Sequence, residues 1–380
     1  MSAKLLGMRI SIPALATAAL CTLSTTAFAA EPGLAGRNDI VLEDGFEQQD
    51  WYQGWSTSSV PQNTSIVSDG SSFRGNSHLR VTVPKASHYG TSFGFDFVKE
   101  GLAAPDAVYF RYAIRLGPTW TTDGGGGGKL PGFGATYGVA GWGGKPANGS
   151  NGWSARGLFW QPSAAPESGD TRIGYYVYHA DMTGQYGANW FWSGGSLGSD
   201  GVLKRSKWYE IEVYVKNNTV TQNDGVLRAW ADGTQVYEKT DVRFRDVENL
   251  KIERVWFDIY YGGSWTAPED MYLDFDNAVI AWDYIGPTSE TPPTPGTGGA
   301  AGATGVGGAP GSGSSGSGAA SGAGANGVGG AGATQAGAGT PSADNEGGCG
   351  CRVGAAAGRD GSLALLLLGA VGLRRRRHSL

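Results

Sequence analysis

The stretch Tyr209-Glu210-Ile211-Glu212-Val213-Tyr214-Val215-Lys216 decides the fold class. Its odd positions are largely apolar and its even ones mostly polar. A period of two puts one face of an extended strand into a core and turns the other outward. The same pattern, less regular, runs through 78–83 (HLRVTV) and 108–116. Asn223-Asp224-Gly225 and Asp232-Gly233 are turn signals on either side of 226–232. Two later strands, 252–261 and 271–282, are rich in aromatic and β-branched residues. No stretch of about 12 residues carries convincing helical periodicity. Many short strands separated by Gly, Pro and Asn turns predict an all-β fold: an antiparallel β-sandwich of the jelly-roll type, with a concave substrate groove on one sheet.

Working outward, the aromatic residues bound the folding unit. Of 42 Phe, Trp and Tyr residues in the 380, 41 lie between Phe46 and Tyr284. Residues 291–350 hold 22 Gly and 13 Ala, no aromatic residue, and only Asp344 and Glu346 as charges. Such a segment buries too little apolar surface to offset its ordering entropy. The predicted organisation is a signal peptide over 1–29, one β domain over 30–286, a Pro/Thr then Gly/Ala/Ser-rich linker over 287–347, and a tail over 348–380. The signal reading rests on Lys4 and Arg9, a short apolar stretch over 12–23, and Ala27-Phe28-Ala29 as a small-x-small cleavage site. Residues 30–290 carry 21 basic and 31 acidic side chains, 21 − 31 = −10, which argues against a nucleic-acid partner. A polyanionic ligand would need a local basic groove.

Cysteine is absent from the predicted domain, so its fold is expected to form without disulfides after export. Cys349 and Cys351 stand together in Gly347-Gly348-Cys349-Gly350-Cys351-Arg352, followed by an apolar run over 363–373 and the cluster Arg374–Arg377. That order resembles the MYXO-CTERM sorting tail. The resemblance implies cleavage near the cysteines by a membrane protease, export and sorting machinery as partners, and retention at the cell surface through a membrane anchor on Cys349 or Cys351. The expected location is therefore the outer-membrane surface or the medium.

Chemistry is harder to locate. His78, His88 and His179 lack partners at metal-ligand spacing, so no metal or cofactor is expected. Acidic residues are plentiful, but Asp224, Asp232 and Asp241 read as solvated turn or strand-end carboxylates rather than a paired hydrolytic site. The five glycines Gly124–Gly128 lack the helix that must follow a phosphate loop. Three stretches combine titratable and aromatic side chains: Gly128-Lys129-Leu130-Pro131-Gly132-Phe133-Gly134, Gly152-Trp153-Ser154-Ala155-Arg156-Gly157 and Tyr175-Tyr176-Val177-Tyr178-His179. On a strand, Ser154 and Arg156 share a face, as do Tyr176 and Tyr178.

Together with Lys85-Ala86-Ser87-His88-Tyr89-Gly90, the strand over 109–116, Gln222–Leu227, Trp230-Ala231-Asp232-Gly233 and Leu273–Val279 (LDFDNAV), these stretches resemble the family-14 polysaccharide lyases, which include alginate and glucuronan lyases. The likeness spans about residues 70–282. It implies a jelly roll that cleaves a 4-linked uronic acid polymer by β-elimination, with an acidic polysaccharide as substrate. Carried over residue by residue, the catalytic set falls on Lys129, Ser154, Arg156, Tyr176 and Tyr178, with His88, Tyr89 and His179 as substrate-binding positions. The division of base and acid among Lys129, Tyr176 and Tyr178 stays open at this level. The stretch 162–170 and the Trp-rich loop 186–192 depart from the pattern and are expected to reshape the groove. A sugar-binding surface module on the same fold is the alternative reading.

Overall fold

The computed structural model describes residues 30–122, 126–162 and 169–291. The stretches read as signal peptide and tail, including Cys349 and Cys351, most of the stretch read as linker, and the centre of the 162–170 stretch lie outside the described residues. Fifteen strands and three short 3₁₀ turns make up the described chain. The strands are β1 (Ile40–Asp44), β2 (Thr64–Val67), β3 (His78–Val83), β4 (Tyr89–Asp96), β5 (Ala107–Leu116), β6 (Gly127–Ala135), β7 (Trp153–Trp160), β8 (Thr171–Tyr178), β9 (Ala188–Phe191), β10 (Val202–Leu203), β11 (Trp208–Lys216), β12 (Gly225–Ala231), β13 (Thr234–Val242), β14 (Arg254–Tyr261) and β15 (Met271–Ala281).

They form two antiparallel sheets packed as a jelly-roll-like sandwich. The first runs β13-β12-β11-β5-β15-β3-β2, with β1 also on β15; the second runs β10-β8-β7-β6-β14-β4, with β9 on β8. Consecutive hairpins such as β12–β13 and β6–β7 are joined by long-range pairs such as β5–β15 and β6–β14, so each sheet is completed only through long-range pairing. The alternation read in the sequence is realised directly. Ile211, Val213 and Val215 of β11 are fully buried in the core beside Phe110, Tyr112 and Ile114 of β5. From the second sheet, Phe133, Ala155, Val177, Val255 and Phe257 meet them. Phe257 joins the sheets, stacked on Phe93 at 4.6 Å and edge-on to Phe275 at 4.7 Å. Each such buried ring contributes about 1.5–3 kcal/mol through apolar burial.

Several motifs singled out in the sequence prove architectural. Asp232 and Gly233, at φ 48° and 75°, make the tight turn between β12 and β13. In LDFDNAV, Asn277 takes φ 48° at a register break in β15, a conformation Asn tolerates better than most residues. Its Nδ2 donates to Glu31 and Thr288, while the Asp276 carboxylate accepts the N–H groups of Phe73, Arg74 and Asn277. The 186–192 stretch contains a strand, β9, hydrogen-bonded to β8, rather than loop alone. A further difference concerns acidic residues. Glu210, Glu212, Asp258, Asp274 and Asp276 are all buried within strands, where partners from distant segments compensate them. Packing also continues past residue 286, because Thr288 bonds to Glu210 and Ser289 N–H to Glu31.

Candidate active site

The outward face of the second sheet gathers the side chains that the sequence places far apart. In the β7–β8 pairing, Tyr178 stands opposite Ser154 and Tyr176 opposite Arg156. In the β6–β7 pairing, Ser154 stands opposite Gly134 and Arg156 opposite Gly132. Directly opposed residues share a face, so the two tyrosines, Ser154 and Arg156 line one surface.

Lys129 joins them only because β6 is irregular. It precedes Gly132 by three positions, an odd separation that would turn its side chain into the core on a regular strand. The register shifts between Leu130 and Gly132, so Pro131 is the extra residue of a bulge. Proline has no N–H for the ladder, and a bulge is where a sheet accommodates it. Past the bulge, Lys129 faces Leu158 on one side and Tyr260 on the other, with its alternation reversed. Leu130 and Phe133 point inward and are fully buried. The Lys-Leu-Pro-Gly sequence thus encodes the direction of the lysine.

Lys129 is almost wholly buried, with Nζ 4.4 Å from the Tyr176 ring centroid and 5.3 Å from that of Tyr260. These ring faces attract the ammonium group. The Arg156 guanidinium carbon lies 4.7 Å from the Trp256 ring and 5.7 Å from Tyr176. Its Nη1 donates to Asp258 Oδ2 at 2.8 Å, while Nε has no partner among the described residues. Gly132, between Arg156 and Trp256, leaves the floor bare. A Cβ there would come within 2.4 Å of Ala155 O and 2.6 Å of Arg156 Cα. Beyond Trp256 lies a depression of about 190 Å³ lined in part by Ser92, Asp96, Lys99 and Arg254.

The two phenols are held from the loops. Gly187 N–H donates to Tyr176 Oη and Gly144 N–H to Tyr178 Oη, each at 3.1 Å, and the rings meet edge-to-face at 5.5 Å. Burial pushes the Tyr176 phenol well above its ordinary range, and neighbouring Tyr178 pushes the same way; Arg156 and the Gly187 N–H oppose them without winning. Tyr176 therefore keeps its proton near neutral pH. Ser154 is buried, and its Oγ donates to Gly141 O at 2.6 Å, which ties β7 to the loop carrying Gly144.

His88 and Tyr89 sit at the Lys129 end of this face. The His88 ring stacks on Tyr260 at 5.6 Å, and its Nδ1 lies 3.0 Å from Tyr261 O, which requires the proton on Nδ1. Tyr89 is exposed and meets Tyr260 edge-on at 5.2 Å. His179 is placed elsewhere. Its ring packs on Trp190 at 5.2 Å, and Trp190 is opposite Tyr175, which points into the core. Burial lowers the His179 pKa. The sequence reading missed Trp256, Asp258 and Tyr260. Their alternation with buried Val255, Phe257 and Ile259 was visible in β14, but nothing in it said that the outer row meets Lys129 and Arg156. Among the described residues, no three His, Cys, Asp or Glu side chains gather so as to hold a metal ion.

The face therefore offers an ammonium and a guanidinium, two phenols and aromatic walls over a glycine floor. The sequence profile of polysaccharide lyase 14 matches residues 72–278, which include every residue of this cluster. The chain belongs to that family. A lyase-type enzymatic role accompanies the membership. Among solved structures, the alginate lyase Aly36B is 25% identical, with 60% of this chain and 88% of that one covered and a TM-score of 0.46. The PL-14 alginate lyase from Aplysia kurodai is 20% identical, covering 63% and 98%, with a TM-score of 0.46. The endo-β-1,4-glucuronan lyase from the fungus Trichoderma reesei is 16% identical, covering 64% and 95%, with a TM-score of 0.42. Comparison with curated protein sequences finds no match.

Proposed function

We propose that the domain cleaves a 4-linked uronic acid polymer, of the alginate or glucuronan type, by β-elimination. The observation that carries this reading is the convergence of Lys129, Arg156, Tyr176 and Tyr178 on one face with Arg156 Nε unpartnered. The C5 proton of a uronate becomes acidic once its carboxylate is neutralised. Asp258 holds one arm of the Arg156 fork, and the edge bearing Nε is suited to the substrate carboxylate. A base then takes the C5 proton, the C4–O4 bond breaks, a C4=C5 double bond forms, and the departing O4 takes up a proton.

Burial disfavours the Tyr176 phenolate, so Tyr176 serves as the proton-bearing group near O4, and removal of the C5 proton falls to Tyr178 as its phenolate or to Lys129 once it has given up its own proton to become the neutral amine. Ser154 supports the loop that positions Tyr178 rather than reacting itself. His88 and Tyr89 extend the sugar-contacting surface at the Lys129 end, whereas His179 supports β9. Export through residues 1–29 and retention by a processed tail near Cys349 or Cys351 would place the enzyme at the cell surface, where polymeric substrates are met.

The test is ultraviolet absorbance of the conjugated unsaturated uronate, followed with purified residues 30–291 on alginate blocks, glucuronan and other uronans. A rise that vanishes in Lys129→Ala and Tyr178→Phe is expected. Retained binding with no absorbance on any polymer would replace the lyase with a sugar-binding module.

A further inference from the structure

Eight large apolar side chains are exposed among the described residues, and three of them, Tyr137, Val139 and Trp142, fall between positions 137 and 142. This segment belongs to the connection from β6 to β7. It is well fastened. Gly141 N–H donates to Lys145 O, Lys145 N–H to Trp142 O, and Gly144 N–H to Tyr178 Oη. Gly141, at φ 87°, admits no side chain, because a Cβ would lie 2.6 Å from the Trp153 carbonyl carbon. The turn therefore presents the Trp142 indole, 37% exposed, in a fixed place. The exposed Lys145 holds Nζ 4.0 Å from its ring centroid. Tyr178 is the link to the catalytic face, since the ring of Tyr176 next to it lies under Lys129. His88 and Tyr89 stand toward the other edge of the same sheet, beside Tyr260.

We propose that Trp142 and Lys145 form an outlying subsite for a further uronate residue of the polymer, past the Tyr178 end of the cluster. Lys145 Nζ lies over the indole ring, so a pyranose would set its C–H face on the part of the indole that the lysine leaves exposed, with its carboxylate turned to the ammonium. One aromatic and one cation a few ångströms apart match an acidic sugar better than a neutral one, which would use only the indole. The proposal depends on the uronan reading for the identity of the sugar. It adds that recognition extends beyond the bond being cleaved, so longer chains bind better.

Binding and turnover separate the two ideas. Affinity of residues 30–291 for uronate trimers and octamers is measured by calorimetry for the wild type, Trp142→Ala and Lys145→Ala, and elimination is followed in parallel. Trp142→Ala is expected to weaken octamer binding and raise KM by roughly three- to tenfold, leaving trimer binding and kcat unchanged. The Lys145→Ala loss should be smaller and should disappear at high salt. Equal effects on trimer and octamer, or no effect on either, overturn the subsite even if elimination is robust. Length-selective loss of binding in Trp142→Ala without elimination by the wild type would keep the subsite and sink the lyase.

Discussion

The two outward faces of the sandwich both carry buried charge, and they use it differently. On the first sheet, Arg80, Asp274 and Arg115 stand in register across β3, β15 and β5, with Asp274 bonded to both arginines. Nearby, Arg111 pairs with Glu31 and lies 3.8 Å from Glu210, while the Glu212 carboxylate accepts the N–H groups of Ile285 and Gly286. The first described residues and the segment 284–289 lie over this face and close it. On the second sheet, among the described residues, neither end segment covers Lys129 and Arg156. Their surroundings are aromatic rings and glycine, with Asp258 holding one arm of the arginine. On the first sheet guanidinium is matched to carboxylate from distant segments; on the second, ring faces stand beside both cations, an arrangement the proposed lyase reading would use.

The sharpest way to break that contrast is to alter one arginine on each face. Arg156→Lys keeps the charge near Asp258 but removes the planar fork, so kcat/KM on a uronan should fall by about 10²-fold or more with the melting temperature little changed. Substantial activity in this variant would mean the fork does not grip the carboxylate. Arg111→Met should do the opposite. It leaves Glu31 and Glu210 buried without their cation and should cost about 3–5 kcal/mol in denaturant unfolding, with kcat preserved where the protein stays folded. Loss of turnover in the folded variant would join two faces that the structure separates.

A milder change sharpens the role of the carboxylate that pairs with Arg156. Asp258→Asn retains a hydrogen-bond acceptor for Arg156 but removes the charge that steadies it. KM for a uronan is expected to shift by no more than about tenfold, and its salt dependence should steepen as the guanidinium becomes less neutralised. The smallest effect concerns acid. Burial holds Glu212 at about 7 against an ordinary 4.5, although the Ile285 and Gly286 N–H groups pull it down. Because the folded value lies above the unfolded one, folding takes up a proton. That stabilisation is complete below about pH 4.5 and is lost as the pH rises toward 7. Glu212→Gln should flatten this decline in thermal midpoint between about pH 4.5 and 7. Burial raises Asp276 to about 7 as well, so part of the slope should survive. An unchanged slope would show that Glu212 is ionised throughout.

Much of the architecture was legible because strand alternation is a local property. The edges of β3 and β5 lie within a residue of the stretches read from alternation, those of β12 within a residue of the stretch read from its flanking turns, and the Asp232-Gly233 turn is where its chemistry demands. Lys129, Arg156, Tyr176 and Tyr178 were recognisable as a set through their motifs. Asp258, Trp256 and Tyr260 were not, because a polar residue on a strand's outer row looks alike on a solvated and a ligand-binding face. The buried carboxylates at Glu210, Glu212 and Asp274 were hidden for a related reason. Their partners lie between about 70 and 200 positions away along the chain.

The sequence alone determined the class of fold and the residue types available for chemistry, since periodicity and motif order are written locally. Tertiary structure decided which outer face the ends of the described chain cover, by laying both of them over the first sheet. It also decided that Lys129 faces Tyr176, because a proline that cannot join the ladder forces the bulge that turns the lysine outward.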